Sequence, residues 1–314
     1  MAKTLRQKLS EGLLIVDGAM GTQLMARGAE AGQCNNYLNI KSPQIITDIH
    51  LSYFDAGSGA VYTNTFGANE ITLGRHNLAD QVEEINAAGV ENARKAALAL
   101  GGQKYVIGDI GPCGDFLEPL GTLKPDVLRN AYARQAKALL NAGVDGFVVE
   151  TFMAADEAKV AVEGVKSVSD LPVFVSFAFD AAGDDFRTMM GVTVEMAVTI
   201  FSVMGIDALG FNCGTLRMEQ YLQLAKKFLR LLKSTTGTGK LTPGQGAGSK
   251  EIALIAKPNG GKPELIDGKA VYKLSEGEFG EWIEKIHQAG AAIVGGCCGT
   301  TPAHIKAMAK KLKS

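Results

Sequence analysis

The sequence predicts a (β/α)8 TIM barrel, a single domain that spans residues 1–314. The chain has 314 residues, of which 46% are hydrophobic, and this suits one large core. Eight apolar runs each precede a segment with helical periodicity, and glycine-containing turns recur where helical periodicity gives way to an apolar run. Eight alternations of strand and helix in a chain of this length are typical of a closed parallel sheet surrounded by helices.

The recurring turns fix the direction of each repeat. They lie at residues 54–62, 141–149, 204–209 and 288–294. Glycine is preferred just past the end of a helix because it adopts the left-handed conformation without strain. Each turn therefore predicts a helix that leads into a strand.

The predicted strands are continuous apolar runs, as expected when both faces of a parallel sheet are buried. An open doubly wound sheet is the alternative, but no G-x-G-x-x-G fingerprint follows the first strand, which disfavours it. The eight predicted strands are Leu13–Val16, Ala60–Thr63, Tyr105–Gly108, Gly146–Val149, Val173–Phe177, Ala208–Phe211, Ile252–Ala256 and Ala291–Val294.

Helical periodicity predicts a helix after each of these strands. Proline at or near the first helical position marks three of the starts, at Pro43, Pro125 and Pro302. The predicted helices are Pro43–Ala56, Gln81–Leu100, Asp126–Ala142, Ala154–Val168, Val192–Met204, Arg217–Lys233, Glu278–Ala289 and Pro302–Leu312.

The stretch Ser234–Lys250 is rich in glycine and is predicted to be a flexible connection on the helix-to-strand side of the barrel. The pair Gly239-Lys240 within it does not form a Walker phosphate-binding loop. That motif needs serine or threonine where this chain has Leu241.

The composition limits the partners and the cellular compartment that can be expected for this protein. The net charge is −1, from 32 basic and 33 acidic residues, so nothing predicts a nucleic-acid or membrane partner. No run approaches the roughly 20 apolar residues of a membrane span, and the first ten residues lack the apolar core of a signal peptide. Five cysteines, two of them adjacent, do not resemble a secreted disulfide framework. A cytoplasmic location is therefore expected.

The adjacent cysteines Cys297 and Cys298 are the strongest candidates for metal ligands. Neighbouring side chains of an extended strand point apart, so the two thiols can share one target only if the backbone turns. The flanking glycines are expected to allow that turn, and a soft metal ion is the favoured target. A catalytic zinc site usually has three protein ligands, and Cys213, at the end of another apolar run, is the best candidate for the third. The alternative is buried free cysteines, and this is the interpretation favoured for Cys34 and Cys113.

Polar residues and glycines concentrate where the predicted strands end. In a (β/α)8 barrel these ends form the mouth that carries the chemistry. The four histidines, by contrast, lie in helical segments or just after one and are interpreted as structural or solvated. The strand ends are Asp17-Gly-Ala-Met-Gly-Thr22, Asn64-Thr-Phe66, Asp109-Ile-Gly-Pro-Cys-Gly-Asp115, Glu150-Thr151, Asn212-Cys213, Lys257-Pro-Asn-Gly260 and Cys297-Cys298.

Three thiolates on Zn²⁺ would make an electron-rich, weakly Lewis-acidic centre that is poorly suited to activating water. Such a centre can still bind an incoming thiol and remove its proton. A free thiol with a pKa of about 8.5 is mostly protonated at neutral pH. The implied reaction is attack by a substrate sulfur on an electrophilic carbon.

The motifs at the strand ends resemble those of the homocysteine S-methyltransferase family, in the same order and over nearly the whole chain. Within that family they are most similar to the homocysteine-binding module of cobalamin-dependent methionine synthases. The motifs that carry the resemblance are Asp17-Gly-Ala-Met-Gly-Thr, Thr63-Asn-Thr-Phe, Gly111-Pro-Cys-Gly, Val149-Glu-Thr, Gly210-Phe-Asn-Cys, Lys257-Pro-Asn-Gly and Gly295-Gly-Cys-Cys-Gly-Thr-Thr-Pro.

The resemblance implies a zinc ion held by Cys213, Cys297 and Cys298, with the homocysteine sulfur as a further ligand. Asn259 is similar to a side chain that occupies the fourth zinc position before the substrate arrives. Replacement of Cys298 by serine is accordingly expected to remove zinc and activity together.

The resemblance also implies how the amino-acid part of homocysteine is held. Glu150 resembles the carboxylate that binds its ammonium, and the amides of Gly18 and Ala19, with Asp17 nearby, match the loop that receives its carboxylate. Asn64 is a further candidate for a contact with the substrate. The alternatives are an ion pair for Glu150, a helix cap for Asp17 and a turn role for Asn64.

The closer similarity to methionine synthase favours methylcobalamin or another methylcorrinoid as the methyl donor. Because the predicted barrel uses the whole chain, this donor is expected to be supplied by a corrinoid protein or by corrinoid and folate domains outside the barrel. S-methylmethionine is the alternative donor. Betaine is disfavoured, because the single tryptophan, Trp282, has the spacing of a packed helix face rather than of an aromatic cage. A non-catalytic zinc or redox-sensing barrel is an alternative of another class. A phosphate-binding barrel that uses Gly295-Gly296 would leave the cysteine pair unexplained.

Overall fold

A computed structural model describes residues 3–30, 32–237, 251–266 and 269–313. Most of the predicted glycine-rich connection Ser234–Lys250, including Gly239-Lys240, lies outside these ranges.

The strands alternate with helices along the chain, and two short hairpins interrupt the pattern. The described strands are β1 (Leu14–Ile15), β2 (Ala60–Tyr62), β3 (Tyr105–Ile110), β4 (Gly146–Phe152), β5 (Val173–Phe177), β6 (Asp180–Ala182), β7 (Asp185–Arg187), β8 (Ala208–Asn212), β9 (Ala253–Lys257), β10 (Glu264–Ile266), β11 (Lys269–Val271) and β12 (Ile293–Val294).

The helices follow the same order. They are α1 (Leu5–Ser10), α2 (Met20–Ala26), α3 (Leu38–Lys41), α4 (Pro43–Asp55), α5 (Glu70–Gly74), α6 (Val82–Leu100), α7 (Pro125–Ala142), α8 (Ala155–Lys166), α9 (Val194–Phe201), α10 (Met218–Gly237), α11 (Glu276–Gln288) and α12 (Pro302–Lys313). Over the described ranges, none of these helices has both the length and the apolarity to cross a membrane.

Eight parallel strands of the described chain form the central sheet, in the order β1-β12-β9-β8-β5-β4-β3-β2. The two outer strands, β1 and β2, approach each other without a regular ladder. The Gly59 amide donates to the Ile15 carbonyl at 2.8 Å, and the Asp17 carboxylate accepts the Tyr62 amide at 2.8 Å. The sheet is thus a nearly closed barrel surrounded by helices, and the predicted fold class is confirmed.

The two hairpins and the short helices α1, α2, α3 and α5 are absent from the prediction. The hairpins β6–β7 and β10–β11 each follow the carboxyl end of a barrel strand. Their strands are only three residues long, too short for alternation to stand out in the sequence. All eight predicted barrel strands are present, with ends that move by at most three residues.

The barrel interior follows from the two-residue repeat of a strand, because every second side chain points to the same face. At the mouth end this interior face changes from apolar to polar. Its buried apolar residues are Leu14, Val16, Ala60, Tyr62, Tyr105, Ile107, Val148, Phe174, Ala208, Ile255 and Ile293. On the same face, two or four positions further along their strands, lie the buried residues Asp109, Glu150, Ser176, Asn212 and Lys257, here called the polar layer.

The buried residue His50 is expected to make the stability of the fold depend on pH. His50 in α4 is fully buried, and neither ring nitrogen has a hydrogen-bond partner among the described residues. Burial lowers its pKa from 6.5 to about 3. Between pH 6.5 and pH 3 His50 is therefore protonated in the unfolded chain but neutral in the folded chain. The free energy of unfolding falls as the pH is lowered through this range. At pH 5 the loss amounts to about 2 kcal/mol.

We expect His50→Leu to abolish this loss and to stabilise the fold at pH 7 by about 1 kcal/mol, because two unsatisfied buried nitrogens disappear. Urea unfolding at pH 7 and pH 5 measures both effects. His76→Leu, at an exposed histidine, is the control and should keep the acid sensitivity of the parent. An equally steep loss of stability in His50→Leu would contradict the prediction.

Candidate functional site

Three cysteines from two distant parts of the chain meet at the barrel mouth. The Sγ atom of Cys213, which follows β8, lies 3.1 Å from that of Cys297 and 3.4 Å from that of Cys298, both of which follow β12. All three sulfurs lie within 4.8 Å of one another, and within the described chain they are the one group of three or more Cys, His, Asp or Glu side chains close enough to hold a metal ion. Their role as ligands stays a prediction.

The backbone at Cys213 has a left-handed conformation that is rare for residues other than glycine. Cys213 has φ 53°, and Gly214 follows with φ 83°. A left-handed conformation costs a residue other than glycine about 1–3 kcal/mol, so its surroundings must hold it. The Tyr221 hydroxyl donates to the Cys213 carbonyl, and the Asn259 amide nitrogen donates to the Gly214 carbonyl at 2.7 Å. A side chain at Gly214 would come within 2.2 Å of the Phe179 carbonyl oxygen.

The glycines around the cysteine pair differ in their roles. Gly299 has φ 77° and lies under the Tyr272 ring, where any side chain would collide. Gly295 and Gly296 are not among the residues with positive φ. They provide space instead, because a Cβ at Gly295 would lie 2.7 Å from the Asp17 carbonyl oxygen and one at Gly296 2.4 Å from Thr300 Oγ1. Of the three flanking glycines that were expected to allow the backbone to turn, only Gly299 has a positive φ.

Asn212 connects the cysteines to the end of β4. Its Nδ2 lies 2.6 Å from Thr151 Oγ1 and 3.5 Å from Cys297 Sγ. Its Oδ1 accepts from the Thr151 amide at 2.9 Å and from the Ser176 hydroxyl at 2.7 Å. Thr151 itself has φ 65° and directly follows Glu150. The sequence placed Asn212 at the mouth without assigning it this role.

Asn259 is hydrogen-bonded to Gly214, the residue that follows Cys213. Its side-chain nitrogen is held by Gly214, whereas its buried Oδ1 has no hydrogen-bond partner among the described residues. Three soft sulfurs and a free amide oxygen fit Zn²⁺, which binds cysteine sulfur at about 2.3 Å and prefers four ligands. The residues present are thus compatible with zinc.

A buried ion-pair network lies beside the sulfurs. The Lys257 Nζ is 3.2 Å from Asp17 Oδ1, 3.8 Å from Glu150 Oε2 and 3.5 Å from the centroid of the Tyr62 ring. Lys257 is 3% exposed, so its charge is almost completely removed from water. No role for Lys257 was predicted, although its position two residues after the interior residue Ile255 would have placed it on the barrel's inner face.

Burial dominates the protonation of the acids in this network. It raises the pKa of Glu150 to about 7, with the charge of Lys257 opposing the shift and that of Cys297 adding to it. Burial also raises the pKa of Asp17, again against the attraction of Lys257. The pKa of Asp109 is raised well above its usual range by burial and by the nearby charge of Glu150.

The loop that is predicted to receive a carboxylate is tightly fixed. A Cβ at Gly18 would lie 2.7 Å from Thr300 Oγ1 and 2.9 Å from the Tyr53 ring. The Ala19 amide already donates to Thr300 Oγ1 at 3.2 Å, and the Tyr53 hydroxyl donates to the Ala19 carbonyl at 2.8 Å. The substrate contacts of Asp17, Gly18 and Ala19 stay predictions.

Asn64 has partners within the chain. Its Nδ2 donates to the Asn35 carbonyl at 2.8 Å and to Asn39 Oδ1 at 3.0 Å. These bonds favour a structural role for its amide nitrogen, and its predicted contact with substrate stays a prediction. Of the two other cysteines, Cys113 is buried and Cys34 half-buried. Trp282 packs against the core from α11, as its spacing predicted.

Comparison with known proteins gives consistent matches over the whole length. A model of the family described as homocysteine S-methyltransferase matches residues 14–312. The methionine synthase of Mycobacterium tuberculosis (strain ATCC 25618 / H37Rv) is 34% identical over 320 residues, which cover 96% of this chain and 25% of the relative. The methionine synthase of Mycobacterium leprae (strain TN) is 33% identical, over 97% of this chain and 25% of the relative. The chain thus spans about a quarter of the length of these relatives.

Solved structures agree in fold. The homocysteine methyltransferase MmuM from Escherichia coli, in its metallated form, superposes with a TM-score of 0.76 at 23% identity and covers 99% of both chains. A methyltransferase from Methanosarcina mazei has a TM-score of 0.58 at 12% identity, over 99% of this chain and 98% of its own. The match to the family model and the identity to the two mycobacterial proteins carry the conclusion beyond the fold: the chain belongs to the homocysteine S-methyltransferase family.

Proposed function

We propose that this protein transfers a methyl group from a methylcorrinoid, presented by another domain or protein, to the sulfur of homocysteine, and so forms methionine. The observation that carries the proposal is the convergence of three cysteine sulfurs beside a buried acidic cluster in one barrel mouth. The sulfurs suit a thiol-binding metal site, and the acids suit the ammonium group of an amino acid.

Cys213, Cys297 and Cys298 would hold zinc, with the Asn259 oxygen beside them before the acceptor binds. Zinc bound there favours the thiolate form of the acceptor and so makes its sulfur a nucleophile at neutral pH. The left-handed backbone at Cys213 and the contact of Asn212 with Cys297 keep two of these sulfurs in place. Because such a site needs reduced thiols, we also propose a cytoplasmic location.

The remaining residues of the mouth position the acceptor. Glu150 would bind the ammonium, and the loop Asp17–Ala19 would lie near the carboxylate. In the transfer step a bond forms between the acceptor sulfur and the methyl carbon, while the bond between that carbon and the donor breaks on the opposite side. Such in-line attack needs the reacting atoms about 3–3.5 Å apart, so the chain contributes mainly by positioning.

The rim of the mouth supports a donor carried by a macromolecule. Thirteen large hydrophobic side chains are exposed among the described residues. Eight of them lie, along the chain, between the carboxyl end of a barrel strand and the helix that leads into the next barrel strand. An apolar rim of this kind suits protein contact. The curated relatives are about four times as long as this chain, which leaves them room for a donor domain. The eight residues, here called the apolar rim, are Met25, Phe66, Phe116, Leu120, Met189, Met190, Leu265 and Ile266.

We expect the double variant Met189→Glu, Leu265→Glu to slow methionine formation from a methylcorrinoid bound to its carrier domain by about tenfold or more, because two charges would be buried against the carrier. Its activity with free methylcobalamin should change by less than about twofold, since a free cofactor does not need the apolar rim. Initial rates with both donors, and with S-methylmethionine and betaine in parallel, measure the effect and identify the donor.

Val203→Glu is the matched control, because Val203 is also apolar and exposed but lies on the helix-to-strand side of the barrel. It should leave all rates unchanged. Efficient transfer from S-methylmethionine without any transfer from a corrinoid would replace the proposed donor with the alternative one. The chain matches a homocysteine methyltransferase of similar size over nearly its full length, so S-methylmethionine is included among the donors to be tested.

A further inference from the structure

The polar layer and its neighbour Asp17 contain more negative than positive groups. Three buried carboxylates, those of Asp17, Asp109 and Glu150, are accompanied by the single ammonium of Lys257. The hydrogen bond of Lys257 goes to Asp17, whose other oxygen accepts the Tyr62 amide. Asp17 is therefore satisfied by the protein itself, whereas the other two acids are not.

Asp109 has an oxygen without a partner. The residue is 7% exposed, and its Oδ1 has no hydrogen bond within the described chain. The backbone around it is firmly held, since its amide donates to Thr63 Oγ1 at 3.1 Å and its carbonyl accepts from Thr65 Oγ1 at 2.8 Å. Its side chain points to the barrel interior because it stands two positions after Ile107 on β3.

Glu150 presents the same situation on the neighbouring strand β4. It is 9% exposed, and its Oε2 has no hydrogen bond among the described residues, with Lys257 at 3.8 Å. The charge of Glu150 adds to the cost of ionising Asp109, which is one reason, after burial, for the raised pKa of Asp109. Buried carboxylates in this position either take up a proton or bind a cation from a ligand.

We propose that Asp109 is a second ammonium-binding carboxylate of the acceptor site, which works with Glu150 to select a thiol that carries an α-ammonium group. The proposal rests on the proposed function for the identity of the acceptor. The one ammonium of Lys257 hydrogen-bonds to Asp17 and lies only within ion-pair distance of Glu150, so oxygens of Asp109 and Glu150 remain without a hydrogen bond and available to the ligand. A thiol of the same length without the ammonium would leave the Asp109 and Glu150 oxygens without a hydrogen-bond partner and would bind weakly.

Asp109→Asn tests this assignment, because the change removes the charge and keeps the shape. Calorimetric titration of the zinc-loaded protein would compare homocysteine with 4-mercaptobutanoate, which lacks only the amino group. We expect the affinity for homocysteine to fall about 10- to 100-fold, as for loss of a hydrogen bond to a charged group, while that for 4-mercaptobutanoate changes by less than about twofold. In steady state, KM for homocysteine should rise by the same factor and kcat should change by less than about threefold.

Asp115→Asn is the control, because Asp115 lies in the connection that follows β3 but is exposed and paired with Arg75. It should change neither affinity, since only the general negative field at the mouth is altered. Zinc content and thermal midpoint report on folding, and Asp109→Ser is a second uncharged variant for which the same selective loss is expected. An equal loss for both thiols, or no loss for homocysteine, would overturn the inference.

The outcomes separate this inference from the proposed function. If the parent protein methylates homocysteine and Asp109→Asn keeps the parent's affinity for it, the inference fails and the function stands. If the parent binds homocysteine without methylating it and Asp109→Asn loses the preference for the ammonium group, the function fails and the inference stands.

Discussion

Cys298→Ser should lose stoichiometric zinc and lower the rate of methyl transfer to homocysteine by at least about a thousandfold. A serine hydroxyl is a hard, neutral ligand that does not replace a thiolate on zinc. Without the ion the acceptor thiol would be mostly protonated at neutral pH, because an unperturbed thiol has a pKa of about 8.5. The short distance between the sulfurs of Cys213 and Cys298 supports the prediction that both are zinc ligands, so we expect Cys213→Ser to have the same effect.

Metal analysis and single-turnover rates measure the two losses together. Cys34→Ser is the control, since Cys34 is not part of the three-sulfur group and should retain both zinc and activity. Retention of stoichiometric zinc with unchanged turnover in Cys298→Ser would refute the ligand assignment. X-ray absorption at the zinc edge, before and after homocysteine, tests the non-catalytic alternative, for which the coordination should not change.

Lys257→Met should destabilise the folded protein by about 3–5 kcal/mol at pH 7, the usual effect of removing one partner of a buried ion pair. Methionine retains much of the aliphatic stem, so the loss is chiefly electrostatic. It leaves Asp17 and Glu150 as buried acids without a counter-charge. The pKa of Asp17, already raised by burial, would rise further without the ammonium.

The sign of the pH dependence follows from this shift. An acid whose folded pKa lies above its unfolded pKa destabilises the fold as pH rises through that window and has no such effect below it. The difference in unfolding free energy between Lys257→Met and the parent should therefore shrink from pH 7 to pH 4. Guanidinium unfolding at both pH values measures this change.

Two further variants show whether the loss in Lys257→Met is electrostatic or comes from packing. Adding Asp17→Asn to Lys257→Met should recover a large part of the lost stability, because the uncompensated charge is removed. Lys273→Met, which breaks an exposed pair with Glu264, should cost at most about 1 kcal/mol. A pH-independent loss in Lys257→Met, unaffected by Asp17→Asn, would indicate lost packing rather than lost charge.

The barrel itself could be predicted because its signals are local. The apolar run at residues 173–177 coincides with β5, and glycines such as Gly143, with φ 93°, end helices where predicted. The hairpin strands β6 and β7 could not be predicted, because their three-residue strands depend on pairing with each other rather than on an apolar face.

The candidate site was only partly predictable. The cysteines Cys297 and Cys298 stand out as an adjacent pair between glycines, and the strand-end rule brings Cys213 to the same mouth. Asn64 also ends a strand, yet its amide nitrogen is used for bonds to Asn35 and Asn39. A strand end indicates proximity to the mouth, whereas the partners of a side chain depend on neighbouring loops that the sequence does not specify.

The sequence by itself determined the order of strands and helices, the side of the barrel that carries the chemistry and the residue types available there, because these depend on periodicity and turn propensity along the chain. Only the tertiary structure decided which charges share one buried volume. Lys257 lies 240 residues from Asp17 and yet bonds to it at 3.2 Å. Electrostatic interaction depends on distance and burial in space, and closing the barrel brings β1 and β9 to either side of β12.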